Sequence, residues 1–165
     1  QPGSGFHINM SVKGPGENRM HHMMGGILRH VSDMTRFLNP SPQSYSRLGV
    51  CKAPKYISWS NNNRSMLIRI PAAAGEYRRV ELRSPDCTAN PYLAFALLIW
   101  AGLDGIQNEI DLPEKANVNL YTAEPRDIGD METLPLSLGA AIKRAEESEF
   151  IRAHLPQSLI ACYKN

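Results

Sequence analysis

The chain has 165 residues, with 18 Lys+Arg against 16 Asp+Glu and a formal net charge of +2. That length supports one sizeable core rather than two domains, and the charged fraction of 21% argues against a disordered or fibrous class. Three cysteines, Cys51, Cys87 and Cys162, are odd in number, far apart and without C-x-x-C spacing, which argues against a disulfide scaffold or structural zinc and fits a reducing cytoplasm.

No apolar run approaches the ~18 residues of a membrane span, and the start QPGSGFHINM lacks the basic-then-apolar pattern of a secretory leader. The near-neutral total hides an asymmetry. Residues 1–83 carry 12 Lys+Arg against 4 Asp+Glu, a balance of +8, and residues 84–165 carry 6 against 12, a balance of −6. The basic half suggests an anionic partner, a phosphate-bearing small molecule or a nucleic acid. Nucleic acid is the weaker reading. Its arginines should form a dense patch with aromatic platforms, whereas Arg47, Arg64, Arg69 and Arg83 are spread singly through apolar strands.

In chain order, GFHINMSV (5–12) alternates as a half-buried strand, with His7, Asn9 and Ser11 on its polar face. HHMMGGILRHVSDMTRFL (21–38) has helical spacing, although Gly25 and Gly26 weaken it by roughly 1 kcal/mol each, and Asn39-Pro-Ser-Pro ends it. KYISWS (55–60) and MLIRIP (66–71) read as strands around the polar turn Asn61-Asn62-Asn63, and YRRVELRS (77–84) as the next strand. Asn90 and Pro91 make a helix start, and the following YLAFALLIWAGLDGI is apolar nearly all round, the pattern of a central buried helix. Residues 107–135 read as polar loop, 136–155 as a helix or helix pair, and 156–163 as its continuation. Strands followed by helices on short connections predict an α+β fold, a mostly antiparallel sheet whose apolar face packs on the 91–105 helix. Met23, Met24 and the aromatics of 91–100 are expected in the core, and KRAEESE (143–149) as a solvated helix face.

In YRRVELRSPD, Val80 and Leu82 share one strand face while Arg79, Glu81 and Arg83 share the other. His7 and Glu81, both on polar strand faces, suit a divalent metal such as Mg²⁺ or Mn²⁺, although a strand histidine is more often a hydrogen-bonded structural residue. Arginine in apolar strand context is costly to desolvate unless it meets an anion. Arg64, Arg69 and Arg83 therefore read either as an anion site or as internally paired, and only Glu76 and Glu81 lie between Asp33 and Asp86 to pair them. GSG at 3–5 means a tight turn.

The blocks GSGFHINMS, NPSPQSYSRL, APKYISWS, NNRSMLIRIP, RRVELRSPD and ANPYLAFALLIWAGLDGI resemble, in order and at family spacing, the signature blocks of glutamine synthetase in its bacterial form. The resemblance is dense over residues 2–125 and looser beyond. It implies residues 1–165 as the C-terminal part of that catalytic domain, with the N-terminal β-grasp domain and the first part of the catalytic domain absent. The implied reaction joins ammonia to glutamate through γ-glutamyl phosphate at the expense of ATP, with Mg²⁺ or Mn²⁺ and several arginines neutralising the transferring phosphoryl group. Carried over by resemblance, His7 and Glu81 are metal ligands, Gly3, Arg47 and Arg83 hold glutamate, and Asn9, Ser11 and Arg69 lie against ATP. Arg64 touches both substrates beside the transferred group and is the catalytic residue, while Arg79 is structural. Tyr121 aligns with a tyrosine that some bacteria modify. The resemblance also implies a cytoplasmic homo-oligomer of stacked rings, a dodecamer, with no nucleic-acid or membrane partner.

Lys52 stands where the family has a flap glutamate that shields the intermediate and accepts a proton, and Pro2 stands where it has an Asn. Asn9 replaces a common second histidine. Lys52 and Pro2 motivate one alternative, a γ-glutamyl ligase for another amine, and Lys52 a second, a non-catalytic nucleotide-binding homologue. The isolated chain is expected to be inactive.

Overall fold

The computed structural model describes residues 4–14, 18–50, 52–72, 75 and 78–164. Four short strands form one sheet: β1 (Ile8–Met10), β2 (Trp59–Asn61), β3 (Ile68–Ile70) and β4 (Val80–Leu82). Their order is β1-β4-β3-β2. The β1–β4 and β4–β3 pairs are antiparallel, as expected, but β2 and β3 run parallel. The reversal is confined to the loop between β2 and β3. Asn62 takes a left-handed φ of 57°, a region Asn enters more easily than most residues. Asn63 Oδ1 accepts from Ser65 N at 3.0 Å and Ser65 Oγ at 2.8 Å, an Asx turn.

Helix α1 (Arg19–Leu38) begins two residues before its expected start. A short helix that sequence reading passed over, α2 (Pro42–Ser46), follows at once, capped by Ser41, whose side chain accepts from Ser44 N. Asn90 caps α3 (Pro91–Gln107), its Oδ1 accepting from Tyr92 N and Leu93 N, with Pro91 in the first turn. The segment read as loop contains one short turn of helix, α4 (Pro125–Ile128). The last helical stretch is three pieces, α5 (Leu138–Glu147), α6 (Glu149–His154) and α7 (Gln157–Cys162). Ser148 ends the first and caps the second, accepting from Ile151 N at 3.2 Å.

The main core joins the sheet's apolar face (Ile8, Ile68, Ile70, Val80, Leu82) to one stripe each of α1 and α3. The principal partner of α3 is α1, rather than the sheet alone as expected. Their axes approach closely where Gly26 faces Gly105, since a Cβ on Gly26 would stand 2.6 Å from Gly105 Cα. Gly26, which weakens α1 locally, is the condition for this crossing, while Gly25 makes room for the backbone of Ile110 and Asp111.

One expectation fails. Met23 and Met24 are buried, but α3 is not enclosed: Tyr92, Phe95, Ile99, Trp100 and Leu103 are 40–85% exposed. One face of α3 is used on α1, and the other is covered only in part, by Phe6 on Phe95 and by His154 of α6 on Trp100 among the described residues. Lys143, Arg144, Glu146, Glu147 and Glu149 are exposed, as expected of a solvated face, but the run is also tied inward. Arg144 Nε and Ser148 Oγ both donate to the buried Asp33 carboxylate, at 2.7 Å each.

Candidate functional site

The sheet register sets Asn9 beside Glu81, Glu81 beside Arg69 and Arg69 beside Ser60. Cross-strand partners share a face, so these four make one polar row, and Ile8, Leu82, Ile68 and Trp59 make the row behind it. His7 joins the polar row from just before β1. Its Nδ1 stands 3.2 Å from Glu81 Oε1. The other carboxylate oxygen, Oε2, accepts from Arg69 Nη1 and Arg83 Nη1, both at 3.0 Å.

Burial by itself raises the Glu81 pKa, but the hydrogen bonds from Arg69 and Arg83 and the charges of Arg83 and His7 outweigh it and hold the group below its ordinary value. Glu81 is therefore ionised although only 8% exposed. His7 goes the other way. Burial, then the charges of Arg83 and Arg47, lower its pKa against the pull of Glu81. At neutral pH the imidazole is uncharged, the form that ligates metals.

Arg83 is buried and braced on three sides. Besides Glu81 it reaches the Arg64 carbonyl from Nε at 3.2 Å and the Lys52 carbonyl from Nη2 at 3.4 Å. Arg47 is held more loosely, with Nη1 at 3.4 Å from the Ser84 carbonyl and 3.6 Å from Asp86 Oδ2. Its Nε is buried and without a partner among the described residues, as is the Nε of Arg69. Arg64, Asn9 and Ser11 are exposed, and their side chains make no hydrogen bond among the described residues. Tyr121 donates its hydroxyl to the Arg64 carbonyl at 2.8 Å. Arg79 Nη1 donates to the Arg78 carbonyl. Gly3 and Pro2 lie outside the described residues.

One carboxylate is thus shared by two guanidinium groups, with the exposed Arg64 and Lys52 joined through their backbones to the same cluster. An excess of positive charge on one polar face is an arrangement that attracts phosphate or carboxylate oxygens.

The family description "Glutamine synthetase, catalytic domain" matches residues 1–165. The chain belongs to the glutamine synthetase catalytic-domain family. It is 41% identical to the glutamine synthetase of Methanosarcina mazei, covering 98% of this chain and 40% of that one. It is also 41% identical to that of Thermotoga maritima, covering 90% and 38%. Among solved structures it is similar to a GmaS/ADP complex, with a TM-score of 0.83, 31% identity, and 98% of this chain and 41% of that chain covered. An apo GmaS structure gives a TM-score of 0.78 at 31% identity, covering 96% and 38%. The chain spans about 40% of the length of the curated relatives it matches.

The family implies a divalent cation, and the donors here fit one. Adjacent ligands about 2.1 Å from an octahedral ion are themselves about 3 Å apart, which is close to the 3.2 Å between His7 Nδ1 and Glu81 Oε1. Both arginines bond the other oxygen, so Oε1 keeps lone pairs for the ion. No group of three or more His, Cys, Asp and Glu that could hold a metal occurs among the described residues.

Gly5 reads in sequence as the end of a tight turn and the start of a strand. It bridges to Asp86 across the edge of the sheet, and a Cβ there would meet Arg47 Nη2 at 3.1 Å and His7 Nε2 at 3.2 Å. A side chain at position 5 would crowd both groups at once. The GSG motif carried that signal only weakly, since a small residue in a turn has many causes. Asp86, on the far side of that bridge, is the acid paired with Arg47.

Proposed function

We propose that the protein containing this chain is an ATP-dependent ligase that joins ammonia to glutamate through γ-glutamyl phosphate. The carrying observation is the polar sheet face on which the ionised Glu81 meets neutral His7 while two arginines share its other oxygen. In this reading His7 and Glu81 hold Mg²⁺ or Mn²⁺, which when bound neutralises phosphate charge on ATP. Arg69 and Arg83 keep the Glu81 carboxylate ionised and aimed.

The exposed guanidinium of Arg64 is free to follow charge as it moves onto the transferred phosphoryl group, the largest contribution expected of a site for this chemistry. Arg47, loosely held beside Gly5, takes the carboxylate of glutamate together with Gly3 and Arg83. Asn9 and Ser11 continue the polar face towards the nucleotide. The reading also has the parent protein cytoplasmic and assembled as stacked rings, with further cation ligands outside these residues. The 165 residues alone are then inactive.

Lys52 favours a second reading, in which the parent ligates another amine or binds nucleotide without turnover. A cation beside the Arg83 cluster cannot take a proton from an ammonium-derived adduct as a carboxylate would. The test is an ATP- and glutamate-dependent assay of the full-length parent with ammonia and a panel of amines, reading ADP and the γ-glutamyl product. Ammonia-dependent glutamine formation is expected. ADP formed only with another amine moves the assignment to that ligase. Mg-ATP binding without turnover under any amine leaves only the non-catalytic reading.

A further inference from the structure

The loop between β2 and β3 carries Arg64, and three consecutive residues of it are tied to residues 118–121. Asn63 Nδ2 donates to the Val118 carbonyl at 2.9 Å, Leu120 N donates to Ser65 Oγ at 2.9 Å, and Tyr121 donates its hydroxyl to the Arg64 carbonyl at 2.8 Å. A small second core, Met66 with Ala116 and Leu120, backs these bonds. The Tyr121 bond differs from the other two in its target. The Arg64 carbonyl also accepts from Arg83 Nε at 3.2 Å, so its two lone pairs are divided between Tyr121 and the arginine that bonds Glu81.

We infer that Tyr121 is a positioning residue, whose hydroxyl holds the Arg64 peptide so that the Arg64 guanidinium is presented and Arg83 is seated against Glu81. The chain of bonds runs from the Tyr121 hydroxyl through the Arg64 carbonyl and Arg83 to Glu81 Oε2, whose other oxygen faces His7. Removal of the hydroxyl leaves the ring in place and the carbonyl with one donor. The loop, which has a left-handed Asn62 at its start, then loses one of the three bonds that set its course. Arg64 has no side-chain partner of its own among the described residues to recover that position.

The effect on turnover rests on the ligase reading above; the effect on the loop does not. The experiment is Tyr121→Phe in the full-length parent, with Thr122→Val as the matched control. The latter removes a hydroxyl from the same segment whose bond, to the Asn119 carbonyl at 3.4 Å, is local. Hydrogen exchange of a peptide covering residues 63–67 is expected to speed up about fivefold in Tyr121→Phe, the worth of one hydrogen bond, and to stay unchanged in Thr122→Val. With Mg-ATP, glutamate and ammonia, kcat is expected to fall by a similar factor while KM for glutamate holds. Unchanged exchange in Tyr121→Phe overturns the inference, as does faster exchange with unaltered kcat in an active parent. If wild type shows no turnover the ligase reading falls, and the exchange result alone decides whether Tyr121 braces the loop.

Discussion

Nδ1 of His7 and Oε1 of Glu81 face each other at 3.2 Å, although one lies just before the edge strand β1 and the other in the interior strand β4. The last registered pair of these strands is Ile8 with Leu82, so His7 is the diagonal neighbour of Glu81 on the same face, a separation long side chains span easily. The Oε2 side of the same carboxylate supports two arginines. Glu81→Gln keeps the shape and removes the charge, leaving Arg69 and buried Arg83 without a counter-ion. The cost of breaking such a pair is about 3 kcal/mol. It should appear as a lower denaturation midpoint at unchanged slope, and binding of Mn²⁺, followed by its paramagnetic signal, should be lost.

His30 gives stability a pH dependence away from this site. Its Nε2 is 2.8 Å from Asp104 Oδ2 on α3 and its Nδ1 is 3.9 Å from Asp33 Oδ2 on its own helix, while its ring stacks on Phe150 of α6 at 4.1 Å. Burial opposes the imidazolium, but the bonds and charges of Asp33 and Asp104 prevail and raise its pKa. A raised folded pKa means stabilisation that is complete below the unfolded value of about 6.5 and is lost as pH rises through the folded value. Denaturation midpoints should therefore decline as pH rises from about 6.5 through the folded value, and Asp104→Asn should flatten that decline.

Asp33 acts at the opposite end of the scale. Burial would raise its pKa, but bonds from His30, Ser148 and Arg144 lower it. The stability from this carboxylate is present above the ordinary carboxylate range and is lost as pH falls through the depressed folded pKa. Ser148→Ala, which removes the 2.7 Å bond to Oδ2, should shift the onset of acid unfolding to higher pH, as followed by circular dichroism.

Gly26→Ala and Gly139→Ala should have opposite signs. Helix propensity favours alanine at both by up to about 1 kcal/mol. At Gly26 the new methyl would press on Gly105 of α3, while at Gly139 nothing lies within 4 Å. Overpacking of 1–3 kcal/mol or more should outweigh propensity at position 26, so the midpoint of the first variant falls and that of the second rises. Thermal denaturation of both distinguishes a tight helix crossing from a merely tolerant one.

Lys52→Glu restores a carboxylate beside Arg83, which already touches the residue's carbonyl at 3.4 Å. If the parent prefers ammonia poorly because of this lysine, the variant should raise glutamine formation at least tenfold at unchanged stability. No gain in any γ-glutamyl product would remove Lys52 from the account of amine choice.

Several elements were legible because one local rule decided each. The cap Asn90, the first-turn Pro91 and the break at Asn39-Pro40 are contacts within a few residues, and strand alternation put His7, Asn9 and Glu81 on polar faces. The parallel pairing of β2 with β3 was not legible, since a short polar turn between two strands usually implies a hairpin, and only the left-handed Asn62 and the Asn63 turn redirect the chain. The exposed side of α3 also escaped prediction, because an all-round apolar helix says that every face wants a partner and not whether one is present.

Composition, alternation and ordered motifs by themselves determined the α+β class, the family and the set of charged residues from which a site could be made. Tertiary structure alone decided which of those charges touch. Arg83 turned inward to brace Glu81 while Arg64 stayed at the surface, and Arg144 reached from its exposed face to Asp33. The physical reason is that side-chain pattern is periodic along one element and can be read locally. A hydrogen bond between elements depends on strand register and helix crossing, which are set by the packing of residues remote in the chain.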